Sequence, residues 1–196
     1  MPKTLTLDDY KKAATPLAVE VAAIQAVAQV ESRGDGFLPD GHPLILFERH
    51  VMFRELREKF GQAKATSWSR TYLNIVNPTP GDYGKVSDQP ARLALATTLD
   101  RDCALKSASW GKFQIMGFNW SLVGYPSLQA FINAMYRSEA DHLHAFCEFI
   151  KADPVLHKAL KDRNWATFAK RYNGPAYAIN QYDKKMAEAY KKLAFA

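Results

Sequence analysis

The chain has 196 residues, 47% of them apolar, and a formal charge of +6 with a pI near 9.2. That length builds one well-cored domain. No apolar run approaches the ~20 residues of a membrane span, and Met1-Pro2-Lys3-Thr4-Leu5-Thr6 lacks the basic-then-apolar profile of a secretory signal, so synthesis in the cytoplasm is expected. The positive balance favours an anionic partner, whether nucleic acid, lipid headgroups or cell-wall polymer, without choosing among them.

The predicted elements are almost all helices. Thr6 and Asp9 form a capping-box pattern for a short helix to about Ala14. Thr15-Pro16 reads as N-cap and first position of a second helix over 16–32, apolar nearly all round and therefore buried on most sides. Gly34 ends it. A helix over 46–60 stops at Gly61, and a weaker one covers 66–73. Residues 77–84, Asn-Pro-Thr-Pro-Gly-Asp-Tyr-Gly, have no period and read as a loop. Ser87 or Asp88 caps a helix reaching about Leu105. Residues 107–120 suit a hairpin or irregular loop. Ser127 caps a long helix to about Lys151, Asp153-Pro154 opens another to about Lys161, and Asn164 caps 165–172. An amphipathic helix over 178–193 closes the chain. Its Lys184, Lys185, Lys191 and Lys192 fit a solvated face, or a face that disturbs membranes. Without repeats or linkers, one domain is expected over 1–196.

Glu31 ends the most apolar helix. There a carboxyl meets the negative pole of the helix dipole and apolar surroundings, both of which raise its pKa, as a glycosidase general acid requires. The alternative is a helix-end Glu paired with Arg33. Residues 107–117, Ser-Ala-Ser-Trp-Gly-Lys-Phe-Gln-Ile-Met-Gly, set Ser109, Trp110, Phe113 and Gln114 around Gly111. Flat apolar faces beside an amide suit pyranose rings and their acetamido groups, and they equally suit an aromatic hairpin closing the core. Tyr172-Asn173-Gly174 offers a phenol and an amide at a cleft edge, or simply a helix terminator. Cys103 and Cys147 match no metal spacing and read as buried thiols. His142 and His144, two apart on a helix, point to different faces and make a poor chelate.

Together these segments resemble a known group. Val30-Glu31-Ser32-Arg33-Gly34, Gly111-Lys112-Phe113-Gln114-Ile115 and Arg171-Tyr172-Asn173-Gly174 are similar, in the same order, to elements of goose-type lysozymes and lytic transglycosylases, with Phe113 where Met is usual. Residues 37–50, 107–118 and 172–177 more closely resemble the N-acetylmuramidase domain of phage endolysins, a likeness extending over about 5–190. The resemblance implies a mainly α, lysozyme-like α+β fold with a small β-hairpin lining a glycan cleft. It also implies cleavage of the β-1,4 bond between N-acetylmuramic acid and N-acetylglucosamine. Glu31 becomes the catalytic acid, and Gln114, Tyr172 and Asn173 fall on substrate- or acid-orienting positions, with Ser32, His50, Ser109, Trp110 and Phe113 as further substrate-binding candidates. Glu48 leads as second carboxylate, against a structural network with Arg49 or His50; Asp82, Asp100 and Asp102 trail it.

The expectation is thus an endolysin catalytic domain without a separate wall-binding module. It would act as a monomer on peptidoglycan, with no cofactor, metal or nucleic acid, held on the anionic envelope by its charge and delivered by a holin-type route. The rivals are a lytic transglycosylase, a basic wall- or nucleic-acid-binding module without turnover, and a zinc amidase or peptidase, which the absence of a His-x-x-x-His pattern disfavours.

Overall fold

The computed structural model describes residues 4–32 and 34–195, with the backbone alone for Ala176. Residues 1–3 of the amino-terminal segment, and Arg33, the alternative partner for Glu31, lie outside the described residues. In chain order the elements are α1 (Leu7–Leu17), α2 (Val21–Glu31), β1 (Ile45–Phe47), α3 (Arg49–Phe60), α4 (Gln62–Thr71), α5 (Gln89–Leu99), α6 (Arg101–Lys106), β2 (Ala108–Trp110), β3 (Ile115–Met116), α7 (Leu128–Arg137), α8 (Glu139–Ala152), α9 (Pro154–Lys161), α10 (Trp165–Asn173) and α11 (Tyr182–Ala194). The architecture is mainly helical α+β, with one small sheet of order β1-β2-β3.

Side-chain caps set most boundaries. Thr6 makes the capping box of α1 with Asp9, and Ser127, Asp153 and Asn164 each accept a backbone N–H at the start of α7, α9 and α10. Several expected boundaries are corrected. Thr15 does not cap a second helix: its hydroxyl turns back to Lys11 O, Pro16 closes the last turn of α1, and Ala18 ends that helix in the left-handed region at φ 51°. The chain then bends by 111° and α2 starts at Val21. The helix expected over 46–60 begins with strand β1 instead. The one expected up to about Leu105 breaks at Asp100, whose side chain caps α6 through Cys103 N. The long helix expected from Ser127 is interrupted at Ser138, which adopts extended geometry and caps α8.

The sheet is antiparallel, pairing Leu46 with Ser109 and Ile45 with Trp110, then Ser109 with Met116 and Trp110 with Ile115. Directly opposed residues share a face. Leu46, Ser109 and Met116 therefore form a row on one side, and Ile45, Trp110 and Ile115 a row on the other. The second row joins the buried core.

One buried carboxylate ties the sheet region to the helices. Glu139, 2% exposed, accepts from Gly36 N at 2.6 Å, Leu5 N at 3.0 Å and Lys112 Nζ at 3.1 Å. Lys112 also donates to Gly34 O. One turn along α8, His142 accepts from Lys112 N at Nδ1 and donates from Nε2 to Met135 O. Burial pushes its pKa down, so the neutral ring is held as the Nε2–H tautomer. Gly111 sits against this ring at φ +70°, where a Cβ would lie 2.6 Å from His142. That close approach explains glycine at this place in the hairpin.

Removing one partner of a buried ion pair costs about 3–5 kcal/mol. Glu139→Gln should therefore lower Tm by roughly 10 °C in thermal unfolding followed by circular dichroism. A change of only a degree or two would show that this carboxylate is not the anchor.

Candidate active site

Helix α2 carries Glu31 as its last residue because Ser32 leaves helical geometry, at φ −77° and ψ 142°, with its N–H still bonded to Ala28 O. The preceding turns are pinned by Ala23, Ile24, Ala26, Val27 and Ala28, all buried, so the position of the carboxyl is fixed by core packing rather than by a loop. It opens on a cleft of about 370 Å³ also lined by Val30, Ser32, Phe113, Gln114, Ile115, Met116, Asn119, Phe149, Tyr172, Asn173 and Tyr182.

Asn173 Nδ2 donates to Glu31 Oε2 at 2.9 Å, while Glu31 Oε1 is buried without a hydrogen bond among the described residues. Burial raises the pKa of Glu31 to about 7 against the opposing pull of the Asn173 amide. Because the amide already occupies Oε2, the proton of the neutral acid rests on Oε1.

An aromatic wall supplies the desolvation. Phe113 stacks on Phe146 with ring centres 4.5 Å apart, and Tyr172 lies edge-on to Phe146 at 5.6 Å and to Phe149 at 6.0 Å while stacking on Phe168 at 5.8 Å. Burial, reinforced by the nearby Glu31, raises the Tyr172 hydroxyl well above its ordinary value, so it remains protonated. Of the expected site residues, Glu31, Ser32, Phe113, Gln114, Tyr172 and Asn173 line one cleft. Their parts differ from the expectation in two cases. Phe113 is 3% exposed and serves as wall rather than as a stacking face. Gln114, at φ +53°, spends its amide inside the protein: Nε2 donates to Gly111 O at 2.8 Å and Leu44 O at 3.4 Å, while Oε1 accepts from the Ser109 hydroxyl at 2.9 Å. Ser109 and Gln114 thus brace the hairpin beneath the cleft.

Trp110 is a correction. Strand alternation turns it to the face opposite Ser109, where it is 1% exposed and its indole N–H donates to Leu105 O. It lies away from Glu31. Asn119, Phe149 and Tyr182 line the cleft without having stood out in the sequence.

Glu48 and His50 lie apart from these residues. Glu48 follows β1, is extended at φ −105° and ψ 97°, and donates its N–H to Ser107 O. The alternation of β1 therefore carries on through it and places Glu48 on the same face as Leu46 and Ser109. Its carboxylate lies 3.3 Å from His50 Nδ1, Oε2 and that nitrogen being buried without a hydrogen bond among the described residues, and burial, then the neighbouring Glu48, raises the Tyr83 hydroxyl. The loop bearing Tyr83, which has no helix or strand period in the sequence, is clamped. Arg49 binds Thr79 O and Asp82, Arg92 binds Tyr83 O and Asn74 O, and Gln89 links Tyr83 O and Lys85 O to Phe47 N. Asp82 is thereby taken up by Arg49, and Asp100 by Lys59 and the α6 cap. Asp102 is exposed, 3.8 Å from Arg101. The two cysteines are buried and unbonded to each other. His142 is buried and His144 exposed, and among the described residues no three His, Cys, Asp or Glu side chains gather as a metal site.

The raised pKa of Glu31 links to stability. The native state keeps a proton that the unfolded chain loses near its ordinary value of 4.5, so stability falls as pH rises from about 4.5 to about 7 and stays reduced above. Glu31→Gln removes the penalty. It should leave stability unchanged at about pH 4 and raise it by roughly 2–3 kcal/mol at about pH 8, measured by denaturant unfolding at the two pH values. Equal effects at both would refute the buried acid.

Comparison with known proteins places the chain. The N-acetylmuramidase family profile matches residues 20–194. The crystal structure of Burkholderia AP3 phage endolysin is similar to it with a TM-score of 0.94 and 46% sequence identity, covering 100% of this chain and 74% of that one. No curated protein matches the chain. The chain belongs to the N-acetylmuramidase family, and its fold is the lysozyme-like α+β arrangement that the resemblance implied.

Proposed function

We propose that this member of the N-acetylmuramidase family is a peptidoglycan hydrolase of the endolysin kind, cleaving the β-1,4 bond between N-acetylmuramic acid and N-acetylglucosamine with Glu31 as general acid. One observation carries the reading. A carboxyl at a helix C-terminus, with a pKa near 7 and its uncommitted oxygen in an aromatic-walled cleft, is a proton donor at neutral pH.

In the proposed reaction the proton on Oε1 passes to the glycosidic oxygen, the C1–O bond of muramic acid breaks, and positive charge develops at C1. Water adds to C1 and gives up its proton, so acid and water balance the reaction without a cofactor. Asn173 holds the Glu31 carboxyl in place and stabilises the anion left after transfer. Ser32, Tyr172, Asn119 and Tyr182 would contact the sugar.

Glu48 is the proposed base for the water. Support comes from the sheet: Met116, which lines the cleft, shares a face with Ser109 and Leu46, and Glu48 continues along that face. On this reading the enzyme acts as a monomer on wall polymer outside the cytoplasm, reached through a holin-type lesion, and its positive charge holds it on the anionic envelope.

Glu31→Gln should abolish turbidity loss of permeabilised cells with the fold retained, and Glu48→Gln should reduce turnover by about 10²–10⁴-fold. Normal lysis by either variant removes that residue from its role. Mass spectrometry of digested wall should show free reducing ends. Products lighter by one water, the 1,6-anhydro form, would assign attack to the muramic acid 6-hydroxyl and make the enzyme a lytic transglycosylase. Asn173→Leu removes the bond that lowers the Glu31 pKa. The alkaline limb of the pH–rate profile, expected near 7 in the parent, should move upward, and an unmoved limb would detach it from Glu31.

A further inference from the structure

The sheet has two faces, and the second one also bounds a cavity. Ile45 and Trp110 floor a second hollow, of about 460 Å³ and lined by α5, α6 and α7, larger than the 370 Å³ beside Glu31 and within the range of small-ligand sites. Along α7, Gln129, Asn133 and Tyr136 recur at helical spacing and form one stripe facing it. Tyr136 is 43% exposed. Its ring is set edge-on to His42 at 6.0 Å and tilted against Trp110 at 6.3 Å, so aromatic neighbours brace it from two sides and leave it partly open.

The polar groups of this hollow are biased toward donors. Arg101 Nη2 donates to Gln129 Oε1, and Gln129 Nε2 donates to Asn133 Oδ1. The chain of bonds uses the acceptors of both amides and leaves the Asn133 amino group as its terminus. The Arg101 guanidinium has only a loose ion pair, 3.8 Å from Asp102. A fitting ligand presents the apolar face of a ring to the phenol, carbonyl acceptors to an amide donor, and negative charge to a guanidinium.

We propose that this hollow is a second, non-catalytic glycan site that takes an N-acetylated sugar bearing a carboxylate, the chemistry of muramic acid in peptidoglycan. The ligand class rests on the substrate reading above; the site itself stands on its own residues. The two hollows share no lining residue and are separate sites. The second site holds a neighbouring strand of the wall network. It adds avidity on insoluble wall and none on a short soluble fragment.

The test uses the full chain in two forms. In a Glu31→Gln background, retention on purified insoluble sacculi should fall about tenfold on adding Tyr136→Ala or Asn133→Asp, the latter placing an anion where a donor stood. Tyr136→Ala in the otherwise unchanged chain should turn over a soluble tetrasaccharide fragment at the parent rate. Unchanged retention in both variants overturns the site. Loss of soluble turnover alongside retention also overturns it, because Tyr136 would then act through the fold. Equal retention on chitin, which has the acetamides without the carboxylates, overturns the carboxylate assignment. Activity persisting in Glu31→Gln would sink the cleft reading alone, since retention is read without turnover.

Discussion

The cleft depends on a carboxylate that does not face it. Glu139 begins α8 and gathers Leu5 N, Gly36 N and Lys112 Nζ, three donors from stretches of chain far apart in sequence. Gly36 lies just beyond the end of α2, and Lys112 sits in the turn joining β2 to β3. The same anion thus fixes the loop that follows Glu31 and the hairpin that carries Gln114. His142, one turn further along α8, bonds the Lys112 N–H and packs on Gly36 and Gly111. Without this anchor, the two walls of the cleft would be joined mainly by their separate packing against the core.

Two buried carboxyls therefore have opposite surroundings. Glu139 has a lysine and two backbone N–H groups, which compensate its charge. Glu31 has one neutral amide, aromatic rings, and the negative end of its own helix. Burial alone does not make an acid catalyst; burial with too few donors does. The Asn173 contact decides which oxygen holds the proton, and so gives the carboxyl a direction as well as a raised pKa.

This contrast explains what the sequence made legible. Glu31 could be picked out because its helix is apolar on nearly every side and ends immediately after it. Helix starts at Thr6, Ser127, Asp153 and Asn164 were readable because a cap is a local bond between a side chain and the next turn. The breaks at Ala18, Asp100 and Ser138 were hidden, since apolar periodicity runs through them and tertiary packing sets the bend. Phe149 and Tyr182 carry no residue-type signal that separates a cleft wall from core. Glu139 reads as an ordinary first-turn acid of a helix, because its partners lie 27 to 134 positions away.

Trp110 shows the limit most clearly. Two residues of β2 stand side by side in sequence, yet one braces the floor of the Glu31 cleft through Gln114 and the other seals the reverse face. A strand of three residues is too short for its alternation to show as a pattern, and a one-residue error in register exchanges the faces. Once the register is fixed by Leu46 opposite Ser109, the same alternation assigns the rest. Met116, Ser109 and Leu46 form the row that leads from Glu31, and Glu48 extends it toward a loop held by Arg49 and Arg92. Two guanidiniums, each less than a tenth exposed, are committed there to backbone carbonyls. Such a clamp holds the Tyr83 segment beside Glu48.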